Sequence, residues 1–195
     1  TITTLTAADV TSLTVTGSTA LTITNAIASA TALATIDAST MTKAVSINAS
    51  NSTVALTFTG GSGGDTITSG GGNDTLTGGS GNDVLSSGNG TNTITGGAGD
   101  NTLTGGTGVD TITSGDGADT IDSAAGNDTI TSGGGNDTLT FDTDGDLNKN
   151  DTVDAGAGTD AAAITISTAL ADPFTLTNVE YVDLTITGAI TVDLS

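Results

Sequence analysis

Between Gly60 and Thr140 an aliphatic residue returns every nine positions: Ile67, Leu76, Leu85, Ile94, Leu103, Ile112, Ile121, Ile130 and Leu139. Most sit in a Thr-Ile-Thr or Thr-Leu-Thr triplet, and each triplet follows six residues rich in glycine. Strand side chains alternate between two faces. Each triplet therefore predicts a short strand whose middle residue points one way, while its β-branched neighbours occupy the outer face. Stacked at one phase, nine aliphatics make a narrow apolar seam.

The chain divides here into GGSGGDTIT, SGGGNDTLT, GGSGNDVLS, SGNGTNTIT, GGAGDNTLT, GGTGVDTIT, SGDGADTID, SAAGNDTIT and SGGGNDTLT. The fourth position is glycine in all nine, and the second is glycine in eight, with Ala124 the exception. The sixth is Asp in seven units and Asn in two, Asn92 and Asn101. The six residues before each strand must turn sharply. Glycine supplies positive φ without a Cβ penalty and lets carbonyls converge. The acid closing the turn adds negative charge where those carbonyls crowd, and convergent oxygen ligands in flexible geometry suit calcium.

The flanks carry the β pattern without the nonapeptide. Residues 1–59 contain Leu13–Thr16, Leu21–Thr24, Ala44–Ile47 and Ala55–Phe58, which read as strands of a less regular β-solenoid. The alanine-rich stretch Asn25–Thr35 is open to a helical reading, and its β-like neighbours favour the solenoid. After the ninth unit, 141–150 reads as a five-residue insertion, and 151–160 resumes the spacing. Residues 161–195 are β-like again, through Ile164 and Ile166, Phe174–Leu176, Tyr181–Ile186 and Ile190–Leu194. The expected organisation is an N-terminal solenoid flank (1–59), a roll (60–160) and a C-terminal cap or assembly segment (161–195), in one elongated β domain.

Charge narrows the chemistry. There are 22 acidic residues, of which only Glu180 is not Asp, against two basic ones, Lys43 and Lys149, giving a net charge of −20. His, Cys, Trp and Arg are absent. That composition removes thiol and Ser-His-Asp catalysis and the ordinary zinc, haem and iron–sulfur sites. Two lysines cannot build a nucleic-acid-binding face, and an anionic membrane would repel the chain. No apolar run is long enough to span a bilayer and no N-terminal secretion signal is visible. Thr1 in place of Met suggests a fragment or a processed product. With 34% apolar residues and four Phe or Tyr, a thick core is not expected.

The repeat resembles the repeats-in-toxin (RTX) nonapeptide, G-G-x-G-x-D-x-U-x with U aliphatic. The resemblance implies an all-β fold, a right-handed parallel β-roll or β-helix solenoid with two nonapeptides per coil. It also implies several calcium ions bound between stacked turns. One column would hold Asp65, Asp83, Asn101, Asp119 and Asp137, the other Asp74, Asn92, Asp110 and Asp128, with Asp151 continuing the spacing. Further candidate ligands are Asp100, Asp142, Asp144, Asp146 and Asp160. The carbonyls of Gly61, Gly63, Gly70, Gly72, Gly79, Gly81, Gly97, Gly99, Gly106, Gly108, Gly115, Gly117, Gly133 and Gly135 would complete the shells. Asn92 and Asn101 keep an oxygen but lose a charge, which should weaken their sites, and Ala124 should strain its turn. The plainer alternative is a metal-free solenoid of Asx turns. Against it, carboxylates stacked about 5 Å apart repel unless a cation lies between them.

Three function classes follow. Thr/Ala/Ser-rich flanks around such repeats are similar to calcium-dependent bacterial surface-layer (S-layer) proteins, a non-enzymatic role with self-association into a lattice or filament and, through another region, attachment to cell-surface polysaccharide. Scarcity of Lys and Arg, which leaves trypsin-like proteases little to cut, suits an exposed coat. The second class is a C-terminal folding module of an enzyme, toxin or adhesin exported unfolded by type I secretion. The third is an adhesive or ice-binding face, since two repeats per coil would align Thr75/Thr77, Thr93/Thr95, Thr111/Thr113 and Thr129/Thr131 in an unbroken ladder. The opposite ladder is interrupted at Val84/Ser86 and Thr120/Asp122. Each class places the protein outside the cell.

Overall fold

The computed structural model describes residues 11–23, 33–142, 146–167 and 174–187. These form two nine-stranded parallel sheets and no helix. One sheet runs β1 (Ser12–Thr14), β3 (Thr35–Asp37), β5 (Thr57–Thr59), β7 (Thr75–Ser80), β9 (Thr93–Ala98), β11 (Thr111–Asp116), β13 (Thr129–Gly134), β15 (Thr152–Asp154) and β17 (Leu176–Thr177). The other runs β2 (Leu21–Ile23), β4 (Val45–Asn48), β6 (Thr66–Thr68), β8 (Val84–Ser86), β10 (Thr102–Gly108), β12 (Thr120–Gly126), β14 (Thr138–Phe141), β16 (Ala161–Ile166) and β18 (Tyr181–Ile186). Successive strands alternate between the sheets, so each nonapeptide supplies one strand and two make a coil. Residues 18 apart then stack, as Leu76 on Ile94 and Leu103 on Ile121. The chain is the all-β parallel solenoid that its repeat predicts.

Strands β7 and β9 to β13 outrun the predicted triplet, because the turn backbone keeps the ladder: Gly79 pairs with Gly97, Gly97 with Gly115 and Gly115 with Gly133. Alternation therefore continues through the turn, and three positions of each repeat face inward. In β11 Ile112 and Ser114 are buried, as is Asp110 just before them, while Thr111 and Thr113 are exposed. The same phase holds in the N-terminal flank with different chemistry: Val45, Ile47 and Ala49 are buried on one rung, and Leu56, Phe58 and Gly60 on the next. At the C-terminal end the core thickens, with Phe141 and Ile164 paired across β14 and β16, both buried.

Outward, β5 to β15 carry Thr57, Thr75, Thr93, Thr111, Thr129 and Thr152 in register. All six are exposed, and Thr59, Thr77, Thr95, Thr113 and Thr131 form a parallel second rank. The opposite sheet breaks this pattern at Val84, Asp122 and Ala161.

Beyond β14 the stacking interval changes from 18 to 23 residues, as Ile130 pairs with Val153 and Leu139 with Ala162. The segment 141–150 thus lengthens one coil by five residues, with Leu147 buried. In the N-terminal flank the strands sit close to their sequence positions, although Ala55 and Leu56 precede β5; the Leu56 N–H goes to the Asp74 side chain, not to a strand partner. Of Asn25–Thr35 only Leu33 to Thr35 are described, and they are not helical. Ile190–Leu194 lie outside the described residues, as does Asp144.

Candidate metal centre: two columns of buried carboxylates

The sixth position of the repeat lies two residues before its aliphatic, and a period of two puts both on the same face. Every sixth-position Asp or Asn from Asp65 to Asp160 is consequently buried. Each is held by the backbone of the preceding coil. Along one side Asp65 Oδ1 accepts the Val45 N–H (2.7 Å), Asp83 Oδ1 that of Asp65 (2.6 Å) and Asn101 Oδ1 that of Asp83 (3.0 Å). Asp119 then accepts from Asn101 (2.7 Å), Asp137 from Asp119 (2.9 Å) and Asp160 from Asp137 (2.8 Å). Along the other side the donors and acceptors run Leu56 to Asp74, Asp74 to Asn92, Asn92 to Asp110, Asp110 to Asp128 and Asp128 to Asp151. The structure thus stacks both expected columns and extends each by one member across the insertion.

One oxygen per carboxylate is used in this way. The other, Oδ2, is buried without a hydrogen bond in Asp83, Asp110, Asp119, Asp128, Asp137 and Asp160. Elsewhere the protein fills the gap: Gly61 N–H donates to Asp65 Oδ2 (3.1 Å), the Ser69 hydroxyl to Asp74 Oδ2, and Asn148 N–H to Asp151 Oδ2. A buried polar atom without a partner is costly, and a charged one more so. Burial pushes the carboxyls of Asp65, Asp74, Asp110, Asp137 and Asp151 above the ordinary carboxylate range. It pushes Asp83 and Asp128 up to about 6, the charge of Asp65 adding at Asp83 and those of Asp110 and Asp151 at Asp128.

The two asparagines show what these pockets want. Asn101 Nδ2 donates to the carbonyl of Gly99 (2.9 Å) and reaches that of Ser114 (3.5 Å); Asn92 Nδ2 reaches those of Gly88 and Gly90 (both 3.4 Å). Turn carbonyls therefore gather around the atom that is Oδ2 in the Asp repeats, and in the Asn repeats a donor occupies that place. Among the described residues no three carboxylates gather around one point. A cation would meet at most the two carboxylates of successive coils and take its remaining ligands from carbonyls, the oxygen-only shell calcium accepts. The unpartnered Oδ2 atoms and convergent carbonyls fit calcium; the cation would supply the missing positive charge between stacked carboxylates.

Not all candidate carbonyls are free for that task. Those of Gly61, Gly70 and Gly133 accept backbone N–H groups from Ser80, Asn89 and Ala157. Asp100 lies outside the columns, where its Oδ1 accepts the Ala118 N–H (2.9 Å). In the insertion Asp142 is exposed, its N–H donating to Asp146 Oδ2 (3.1 Å), while Asp146 is buried. The carboxyl of nearby Asp122 is raised first by burial and further by the charges of Asp142 and Asp146. Ala124 sits in the left-handed region (φ 58°), whereas glycine at the equivalent turn position, Gly106, takes a larger positive φ (130°). A member that sequence reasoning missed is Glu180: its Oε2 accepts the Asp160 N–H (2.8 Å), as each column residue does for the one before.

The described residues form a parallel solenoid consistent with a β-roll, with stacked carboxylates and glycine-turn carbonyls along each side. Residues 59–94, 86–121, 104–139 and 113–147 each match the family model of the RTX calcium-binding nonapeptide repeat, so the segment 59–147 consists of RTX repeats. No curated protein and no solved structure matches the chain. RTX repeats are typical of secreted proteins, which points to an extracellular location.

Proposed function

We propose that calcium ions sit between successive members of each column and that their binding folds the roll, giving a non-enzymatic structural protein of the cell surface that self-assembles in the manner of an S-layer. The observation carrying the calcium part is the run of buried Oδ2 atoms without partners from Asp83 to Asp160. Calcium would hold the columns of Asp65, Asp83, Asp119, Asp137 and Asp160 and of Asp74, Asp110, Asp128 and Asp151, while Asn92 and Asn101 interrupt each column once. In a calcium-poor cytoplasm the carboxylates repel, and a chain with 29 glycines and a single-file core cannot offset its conformational entropy. Outside the cell, binding free energy becomes folding free energy.

Assembly draws support from the ends. Among the described residues the outermost strands of the two sheets are β1 and β2 on one side and β17 and β18 on the other. Since all strands are parallel, the end of one copy presents the orientation that the start of another needs, a head-to-tail contact that propagates into a filament or lattice. Val182, Leu184 and Ile186 are exposed on β18. Light scattering and electron microscopy during a calcium titration test this: large ordered particles support the surface-layer reading. A folded particle that stays monomeric contradicts it and favours the secretion-module reading.

The register of the threonine ranks on β5 to β15 favours one further reading, an adhesive or ice-ordering face. A regular array of hydroxyls and methyls, about 4.8 Å apart across strands and about 6.6 Å along them, matches a repetitive surface. Absence of thermal hysteresis in the calcium-loaded protein would remove its ice-binding form.

A further inference from the structure

We propose that Asp160 and Glu180 form a cation site beyond the nonapeptides, and that the cation latches the last rung of the solenoid onto the roll. The proposal rests on the calcium reading of the columns and adds a residue of a different type to them.

In the final described rung Phe174, Leu176 and Val179 pack against the core, while β18 contributes no buried side chain. β17 has two residues, and all six residues of β18 are exposed. Val182, Leu184 and Ile186 continue the inward line of Ala162, Ile164 and Ile166, and all three are exposed. At the corner before β18, however, the backbone reproduces a repeat turn. Asn178 supplies the left-handed residue (φ 55°) in place of glycine and donates from Nδ2 to Asp154 Oδ1 (2.7 Å). Tyr181 N–H bonds the Asp160 carbonyl (3.0 Å), as Thr138 N–H bonds that of Asp119 (2.8 Å) and Ala161 N–H that of Asp137 (2.9 Å). Glu180 is thereby set at the column position, where its Oε2 receives the Asp160 N–H, although unlike the Asp members it is exposed.

Asp160 supplies the second observation. It is fully buried, its Oδ1 is used by Asp137, and its Oδ2 has no partner. The Asp160 carboxylate sits beside the Asp137 amide and that of Glu180 beside the Asp160 amide, so the two carboxylates follow one another along the column, one coil apart. Two carboxylates in successive turns, one with an unused buried oxygen, suit a hard divalent cation of calcium's kind.

The chain contains its own reporter. Tyr181 is the single tyrosine and there is no tryptophan, so a terbium ion excited through tyrosine reports this end of the solenoid. With the full chain and terbium(III) as probe, tyrosine-sensitised emission is expected to appear on binding. Glu180→Gln, which keeps the acceptor for Asp160 but removes the charge, should lose most of that emission and bind one ion fewer per chain in equilibrium dialysis. Glu180→Asp, the residue type of the other coils, should retain both. An unchanged ion count and emission in Glu180→Gln overturns the proposal, as does ion uptake by the wild-type chain without emission from Tyr181. A wild-type chain that takes up no cation at all defeats the calcium reading itself, a result distinct from either.

Discussion

Two neighbouring stretches of the solenoid close the same coil by different means. In the rungs at 45–49 and 56–60 the three inward positions are Val45, Ile47 and Ala49, then Leu56, Phe58 and Gly60. One coil later the same positions hold Asp65, Ile67 and Ser69, then Asp74, Leu76 and Gly78, joined to the first set by unbroken sheets. Backbone geometry is shared; what differs is whether the residue before the strand is an aliphatic or a carboxylate. An aliphatic there gains free energy by leaving water and needs nothing further. A carboxylate there must be neutralised, by a proton or by a cation. A single inward position thus decides whether a coil stands alone or waits for metal, and the flank offers the roll a preformed rung on which to stack.

The largest effect expected from that difference is regional. Chelation should strip hydrogen-exchange protection from amides of 65–160 while those of 45–58 retain more; uniform loss over both would show that the flank has no independent stability. Next in size, Phe58→Ala should cost about 3–5 kcal/mol, since it empties a buried aromatic site. That loss should appear in chelator as well as in calcium, read by denaturant unfolding followed region by region; an effect seen only with calcium would contradict the division.

Acid should act on the roll with opposite signs in the two states. In a folded roll without metal, burial would hold Asp83 and Asp128 at about 6, above the value of about 3.9 for an unfolded Asp. A raised carboxyl pKa means that the fold binds the proton more tightly than the unfolded chain does. The penalty is full above the folded value and is relieved as pH falls through it, so the metal-free roll should gain stability between about pH 7 and pH 4. With calcium present protons compete for the same oxygens, and ion affinity should fall across that window. Thermal melts at several pH values in chelator and in calcium separate the two trends. The smallest effect belongs to a turn: Ala124→Gly should stabilise the roll by about 1 kcal/mol by relieving a left-handed non-glycine residue, visible as a small rise in melting temperature.

The columns were legible in the sequence because the nonapeptide period is strict, and Asp151 and Asp160 revealed the five-residue insertion by resuming it. The inward burial of the acids was also written there, in the two-residue offset between Asp110 and Ile112 or Asp128 and Ile130, although the glycine-rich turn that precedes each acid masks its strand phase. The closing roles of Val45 and Leu56 were not legible, since they depend on which distant residue stacks beneath them. Glu180 was hidden for two reasons: Asn178 replaces the turn glycine, and the residue type changes. Its one local sign is its place directly before the strand Tyr181–Ile186, the place that Asp holds in the repeats.

The most direct test of the central claim is circular dichroism of the full chain, stripped with chelator and then titrated with calcium while bound ions are counted. The account predicts a cooperative rise in β-sheet signal that saturates together with the uptake of several ions per chain. An equal β-sheet signal in chelator, with no ions taken up, would contradict it and leave a solenoid whose buried carboxylates are neutralised by protons alone.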